Sequence, residues 1–187
     1  MKIKEGKKIP NWTNNIITFK SEEECKKVWE AMSLETFAKT ALPNGNYAEY
    51  KTKIFTYEAV IPSPKTKKEC PKEYLMSEES HSQVLEDRPW FDWYKWNNSN
   101  WGVKWDACDA YQDYCSINFD SPWSKPYNEV FQAIADKFNV SFFTEHCNED
   151  GGWEEYEYHY SPHQPMYTEC SQWQIEENQR NCYYEEE

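Results

Sequence analysis

Apolar residues recur at helical spacing in three segments of this chain. The first segment follows Ser21, where Ser21-x-x-Glu24 has the spacing of a capping box. The second opens near Pro89, which suits the first turn of a helix, and stops where Gly102 can cap it. The third opens near Ser124. The three segments predict three helices, with faces comprising Cys25, Val28, Trp29 and Met32; Trp90, Trp93, Tyr94 and Asn97; and Tyr127, Val130, Phe131, Ile134 and Phe138.

Shorter runs of alternating or β-prone residues between these helices predict strands. Alternation of apolar with polar residues is clearest in residues 114–120. The runs at 140–144 and 153–160 flank a turn-rich connector at 148–152 and predict a hairpin. The predicted strands span residues 16–19, 54–61, 103–107, 114–120, 140–144 and 153–160.

The order of these elements is strand, helix, strand, insertion with helix, strand, strand, helix, strand, strand. It matches a split βαβ sandwich, an α+β fold with helices on one face of an antiparallel sheet. Residues 1–160 are predicted to form this domain, with the Lys-, Pro- and Ser-rich residues 62–84 as a loop or small insertion. Residues 161–187 are an acidic C-terminal extension, for which docking and disorder both stay open.

The composition predicts an aromatic core. Only 39% of the 187 residues are apolar, whereas about 45–50% is usual. Ten Trp, fourteen Tyr and nine Phe compensate, because each such ring can bury roughly 150–250 Å². The length favours one domain, with two small domains as the alternative.

Charge is distributed unevenly along the chain, whose formal net charge is −13. Residues 1–72 hold 14 Lys and 9 Glu, whereas residues 73–187 hold 6 basic and 24 acidic residues. This acidic excess disfavours direct contact with nucleic-acid phosphates, and it favours either solubility or a partner with a basic surface. The predicted partner-binding residues are Glu149, Asp150, Glu154, Glu155, Glu157, Glu176 and Glu177.

The N-terminal residues and the cysteines predict a cytoplasmic protein. Residues 1–10 are polar and lysine-rich, without the apolar stretch of a secretory signal, and no run is long enough to span a bilayer. The seven cysteines are odd in number and include no Cys-x-x-Cys pair, which fits reduced thiols. They are expected to pack as small apolar residues.

The motifs of common catalytic and cofactor sites are missing, and the chain is predicted not to be an enzyme. Phosphate-binding loops and a Gly-x-Ser-x-Gly elbow do not occur, and there are only five glycines. No cofactor and no metal are predicted. A zinc site would lack standard ligand spacing, so surface or strand-end histidines are the favoured interpretation of the residues concerned, which are His146, Cys147, His159, His163 and Cys170.

Three short motifs resemble the YubB-type ferredoxin-like family. Residues 10–15 (PNWTNN) are similar to the family's opening Pro-Asn-Trp-Cys-x-Asn, with Thr in place of the usual Cys. Residues 100–107 (NWGVKWDA) resemble Asn-Trp-Gly-Thr-Lys-Trp-Asn/Asp-Ala, and residues 119–126 (FDSPWSKP) resemble Phe-x-Thr-Ala-Trp-Ser-x-Pro. VIPSP at residues 60–64 is a weaker fourth match. The matches lie in order across residues 10–160.

The resemblance implies a ferredoxin-like antiparallel sheet with helices on one face, and an origin in a phage or another mobile element. It implies no activity, so function must be argued from a site. The family-signature residues are expected chiefly to specify folding, and the alternative is that their side chains bind a base or sugar ring by stacking. These residues are Asn100, Trp101, Gly102, Lys104 and Trp105.

The leading hypothesis is a non-enzymatic phage or mobile-element protein that binds a host protein through its acidic surface. Carboxylates on a rigid sheet can imitate the spacing of phosphates, so the target would be a nucleic-acid-binding host defence factor and the effect would be inhibition. The alternative is a single-stranded nucleic-acid-binding module. In that alternative Trp153, Tyr156 and Tyr158 stack bases, and the lysine-rich residues 2–8 and 65–72 supply positive charge.

Overall fold

The computed structural model describes residues 11–41, 47–160 and 166–169, with only the backbone described for residues 37–41 and 166–169. The helices in these residues are α1 (Glu22–Met32), α2 (Trp93–Asn100) and α3 (Asn128–Phe138). The strands are β1 (Trp12–Phe19), β2 (Ser33–Ala41), β3 (Tyr47–Phe55), β4 (Cys108–Asp113), β5 (Ser116–Pro122), β6 (Phe142–Asn148), β7 (Trp153–His159) and β8 (Met166–Glu169).

Six strands form one sheet in the order β4-β5-β1-β6-β7-β8, and all neighbouring pairs are antiparallel. α1 and a long insertion connect β1 with β4, and β5 lies between these two strands. α3 connects β5 with β6, and β1 lies between them. Two interlocked βαβ units therefore form the β6-β1-β5-β4 part of the sheet, which is the ferredoxin-like arrangement. The predicted α+β fold, with helices on one face of an antiparallel sheet, is confirmed.

The core lies between this sheet and the helices α1 and α3. Phe19 and Phe142 are paired on adjacent strands with their ring centroids 5.4 Å apart. Phe131 of α3 packs against Tyr158 of β7 at 5.3 Å. The buried face of α1 consists of Cys25, Val28 and Met32. Aromatic rings thus supply much of the apolar contact, as the composition predicted.

Local capping decides where two of the helices begin. Ser21 Oγ accepts a hydrogen bond from the Glu24 N–H at 3.3 Å, so α1 starts where the capping box predicted. α2 starts at Trp93, later than the position near Pro89 that the sequence suggested. Asp92 is the reason, because its carboxylate caps the helix by accepting from the Lys95 N–H at 3.1 Å.

The insertion between α1 and β4 contains a second sheet that the sequence did not predict. β2 follows α1 directly and pairs with β3, from Ser33 opposite Phe55 to Ala41 opposite Tyr47. In residues 62–84 the regular structure is a short 3-10 helix at Lys72–Tyr74.

Two predicted strands are wrong. The strand predicted at residues 54–61 ends at Phe55, and the chain continues as a 3-10 helix at Tyr57–Ala59. Residues 103–107, predicted as a strand, form an irregular connection, and the strand β4 begins after them at Cys108. The predicted strands in residues 114–120, 140–144 and 153–160 correspond to β5, β6 and β7, and the predicted hairpin of β6 with β7 is confirmed.

Cysteines in the described residues occur in two states. Burial raises the pKa of the Cys25 thiol to about 12, so it packs as a protonated apolar group. Cys115 is disulfide-bonded, and the expectation of reduced thiols is therefore wrong for this residue. The described cysteines with free thiols are Cys25, Cys70, Cys108 and Cys147.

Of the predicted C-terminal extension at residues 161–187, the structure describes only β8, which pairs with β7. The other residues of this extension lie outside the described part of the chain. Within the described ranges, none of the helices has the length and apolar character needed to cross a membrane.

Candidate binding surfaces

The first half of the signature run at residues 100–107 is built into the fold. Trp101 is 3% exposed, and its indole Nε1 donates to the Ile61 carbonyl oxygen at 3.0 Å. Gly102 has a φ of +78°, and a Cβ at this position would lie 2.5 Å from Cδ1 of Tyr127. Asn100 is anchored through its side-chain amide, which donates to the carbonyl of the preceding helical turn at 2.9 Å. These contacts give Asn100, Trp101 and Gly102 a structural role.

Asp106 ties the same run to the end of β3. Its carboxylate accepts hydrogen bonds from Thr56 Oγ1, from the Tyr57 N–H at 2.8 Å and from the Ala107 N–H at 2.9 Å. Burial raises the pKa of the Asp106 carboxyl, while the three donors act in the opposite direction. The Thr56 N–H still donates to the Met32 carbonyl oxygen at 3.0 Å, but the Tyr57 N–H bonds to this carboxylate and not to β2, so the pairing of β3 stops here.

Lys104 and Trp105, the other two signature residues, lie partly at the surface. The Trp105 ring is the middle of three rings, here called the tryptophan surface, with centroids 6.3 Å from Trp12 and 5.7 Å from Trp123. The Lys104 ammonium lies 4.6 Å from the Trp105 centroid and 5.6 Å from the Trp123 centroid. Its position allows cation–π attraction to both rings. The surface therefore combines aromatic faces with one positive charge.

Trp123 is displayed in an unfavourable backbone conformation. Its side chain is 51% exposed, and its φ is +66°. That region costs a residue with a side chain on the order of 1–3 kcal/mol. The Trp123 N–H donates to the Asn11 carbonyl oxygen at 2.7 Å, which helps to hold the turn. Strain at an exposed aromatic residue points to a functional position, since the ring gains little from burial there.

Most of the predicted acidic contacts lie on the hairpin of β6 and β7, here called the acidic hairpin (residues 142–159). This segment contains six Asp and Glu residues and no Lys or Arg. Glu149 and Asp150 are exposed at its turn, and the Glu154 side chain is 46% exposed. The structure therefore exposes three predicted carboxylates along one hairpin, of which Glu154 also lies 3.9 Å from the Lys125 ammonium.

Strand alternation removes two other predicted carboxylates from this group. Glu155 is only 6% exposed and lies opposite Glu145, which is 9% exposed, on the face turned away from α3. Burial, and then the neighbouring charge of Glu155, raise the pKa of Glu145. Glu157 is half-buried and lies 3.3 Å from His159. Glu155 thus offers little accessible surface to a partner. The predicted contacts Glu176 and Glu177 lie outside the described residues.

The acidic hairpin also displays an indole that the charge pattern alone did not single out as a protein contact. Trp153 is 51% exposed. Its Nε1 donates to Glu155 Oε1 at 2.7 Å, so the buried carboxylate orients the exposed ring. An exposed aromatic ring is suited to guanidinium and ammonium groups, which nearby carboxylates also attract.

The three rings predicted to stack bases do not form one platform. Tyr158 is fully buried, 5.4 Å from Phe142. Tyr156 lies on the same face of β7 as Tyr158, and its hydroxyl donates to Glu154 Oε2 at 2.9 Å. Trp153 lies on the opposite face, since side chains alternate along a strand. Of the lysine-rich stretches, residues 2–8 lie outside the described residues.

The side chains considered for zinc are likewise separated. His146 and Cys147 are consecutive in β6 and therefore point to opposite faces of the sheet. His163 and Cys170 lie outside the described residues. Within the part of the chain that the structure describes, no three His, Cys, Asp or Glu side chains are grouped closely enough to hold a metal ion.

Comparison with known proteins supports the fold and indicates no catalytic family. A family described as a ferredoxin-like domain in Api92-like protein matches residues 100–186. This range contains β4, β5, α3 and the strands β6 to β8. No match was found among curated proteins or among solved structures. Residues 100–186 of this chain are thus similar to the ferredoxin-like domain in Api92-like protein, in agreement with the ferredoxin-like topology of the sheet.

Proposed function

We propose that this chain is a non-enzymatic binding protein that engages a basic surface of a host protein through its acidic hairpin. The observation that carries the proposal is the exposed Trp153 ring on a segment that also exposes Glu149, Asp150 and Glu154 and contains no Lys or Arg. Exposed carboxylates alone are common on solubilising surfaces. An exposed indole among them is not needed for solubility, and it therefore favours a contact surface.

The chemistry of this surface selects Lys and Arg side chains. A cation over an indole face contributes about 0.5–2 kcal/mol, depending on how well water is excluded. Carboxylates add charge-assisted hydrogen bonds, which are bidentate with Arg. Trp and Arg are also the residues that most often dominate interface energies. The negative charge of the whole chain would in addition accelerate encounters with a basic partner.

The finer form of the proposal concerns origin and role. On the motifs at residues 10–15, 100–107 and 119–126, we place the chain in the YubB-type family of phage and mobile-element proteins. The partner would then be a nucleic-acid-binding defence factor in the host cytoplasm, and the acidic hairpin would occupy the groove that binds phosphates.

A capture experiment tests the proposal. The tagged chain is incubated with host lysate, and bound proteins are quantified by mass spectrometry at about 0.1 M and about 1 M salt, between which the Debye length falls from about 10 Å to about 3 Å. We expect one basic protein that is released at high salt and is lost with Trp153→Ala. Trp123→Ala is the matched control, because Trp123 and Trp153 are both 51% exposed. Equal retention by Trp153→Ala and the wild type would refute the proposal.

A further inference from the structure

We infer that Trp105, at one edge of the tryptophan surface, forms a second binding site with Trp93 and Lys104. This site takes a single nucleotide by stacking its base on an indole and pairing its phosphate with the Lys104 ammonium. This site is separate from the acidic hairpin, and its ligand has the opposite charge to the proposed protein partner. The inference therefore does not depend on the proposed function.

A cavity lies beside Trp105. Its volume is about 240 Å³, and its lining consists of His81, Gln83, Trp93, Tyr94, Lys104 and Trp105. Three aromatic side chains in the lining suit a flat ligand, because stacking on an aromatic side chain contributes about 1–3 kcal/mol per base. The side chains of His81 and Gln83 add hydrogen-bonding groups for the edge of such a ring.

The cavity is built on ordered contacts. Trp93 Nε1 donates to the Gln83 carbonyl oxygen at 2.8 Å, which fixes the orientation of the Trp93 ring. The backbone of Lys104 is fixed by a hydrogen bond, because the buried Asn97 side chain donates to the Lys104 carbonyl oxygen at 2.9 Å. Trp105 packs at 5.7 Å against the constrained Trp123. A site whose walls are already positioned loses less entropy on binding.

Local charge favours an anion at this site even though the chain as a whole is acidic. In the described residues Lys104 Nζ has no carboxylate within salt-bridge distance, and it lies over the rings of Tyr94, Trp105 and Trp123. Asp92, at the start of α2, is 4% exposed, and its carboxylate accepts from Ser82 and from the Lys95 N–H. Lys104 is thus available to pair with a phosphate next to the rings.

One nucleotide fits these features better than a strand. The cavity accommodates a single ring, and a phosphate backbone extending from it would run along a chain of net charge −13. Each additional phosphate would therefore add repulsion where a strand-binding groove needs positive charge.

Calorimetric titration of the full chain with AMP tests the inference, with adenosine, ribose 5-phosphate and a short oligothymidylate as comparison ligands. We expect saturable binding of AMP, weaker binding of adenosine and of ribose 5-phosphate by about tenfold each, and no gain in affinity per strand for the oligonucleotide. Lys104→Met should weaken the binding of AMP by about tenfold and leave the binding of adenosine unchanged. Trp105→Ala should weaken the binding of both AMP and adenosine.

Controls separate this site from folding and from the acidic hairpin. Lys104→Met removes the ammonium but keeps an unbranched apolar side chain of similar length, so it remains informative if Trp105→Ala proves unstable by circular dichroism. Lys67→Met is the matched control, because Lys67 is an exposed lysine outside the cavity. Absence of AMP binding, equal binding of ribose 5-phosphate and AMP, or tighter binding of the oligonucleotide would each overturn the inference. Loss of AMP binding in Trp153→Ala would also contradict it, since Trp153 belongs to the other surface.

Discussion

His146 Nδ1 lies 2.8 Å from Asn15 Oδ1 across the β1–β6 pair, and both side chains are almost completely buried. The Asn15 amide nitrogen donates to Ser121 Oγ at 2.9 Å, so its oxygen faces His146 as an acceptor. The imidazole proton is therefore on Nδ1. The other ring nitrogen, Nε2, has no hydrogen-bond partner among the residues that the structure describes. A neutral imidazole tolerates this arrangement, whereas a charged one would bury an uncompensated N–H.

This pair predicts a specific loss of stability in acid. Burial, and then the nearby Lys125 charge, lower the pKa of His146 from 6.5 to about 3. The unfolded chain takes up a proton below pH 6.5, whereas the folded chain does not until about pH 3. The free energy of unfolding should therefore fall by up to about 1.4 kcal/mol per pH unit as the pH is lowered through this window, and be unaffected by His146 above it.

Urea unfolding of the wild type and His146→Gln at pH 7, 6 and 5 measures this effect. The comparison with the variant is needed because Glu145, whose pKa is raised by burial, contributes a change of the opposite sign. We expect the difference in unfolding free energy between the two proteins to shrink as the pH falls. A difference that is independent of pH would show that His146 is protonated equally in both states.

Gly102→Ala should destabilise the fold through two separable effects. The positive φ of +78° disfavours any side chain, and the new Cβ would lie 2.5 Å from the Tyr127 ring. We expect a loss of about 1–3 kcal/mol in the free energy of unfolding. In a Tyr127→Ala background the steric part disappears, and the remaining cost of the substitution should be about 1–2 kcal/mol. A neutral Gly102→Ala substitution would mean that the helix-to-loop connection adopts another conformation.

Asp106→Ala should also be strongly destabilising. It leaves the N–H groups of Tyr57 and Ala107 without their acceptor, and each orphaned donor costs about 1–3 kcal/mol. Asp106→Asn keeps one acceptor oxygen and should cost less. Asp113→Ala on exposed β4 is the control and should stay within about 0.5 kcal/mol of the wild type. Thermal or urea unfolding of the three variants gives the order directly, and equal values for Asp106→Ala and Asp113→Ala would contradict this role of Asp106.

Local patterns were sufficient where a segment's own residues decide its structure. α1 and α3 could be predicted because each carries an apolar stripe at helical spacing. β5 and β7 could be predicted because apolar or aromatic residues alternate with polar ones in the sequence, and β6 because it is a short β-prone run that leads into the turn before β7. The end of β3 could not be predicted, because the carboxylate that ends it belongs to Asp106, 50 residues further along the chain. β2 was missed because it follows α1 without an intervening turn residue.

The candidate surfaces were only partly visible in the sequence. Acidic residues 149 to 157 could be found by counting charges, but the count cannot tell that Glu155 is buried while Glu154 is exposed. The register of β7 decides this. The tryptophan surface was also hidden, since Trp12, Trp105 and Trp123 are far apart in sequence and meet only at the ends of β1 and β5.

Charge reversal on the acidic hairpin decides whether this hairpin binds the basic partner. The variant Glu149→Lys/Asp150→Lys/Glu154→Lys is compared, in the capture from host lysate, with a control that reverses the exposed Glu78, Glu79 and Glu86 and so has the same net charge. We expect the wild type and the control to retain the same basic partner and the hairpin variant to lose it. Equal loss in both variants, or retention of the partner by the hairpin variant, would show that binding depends on total charge or on another surface.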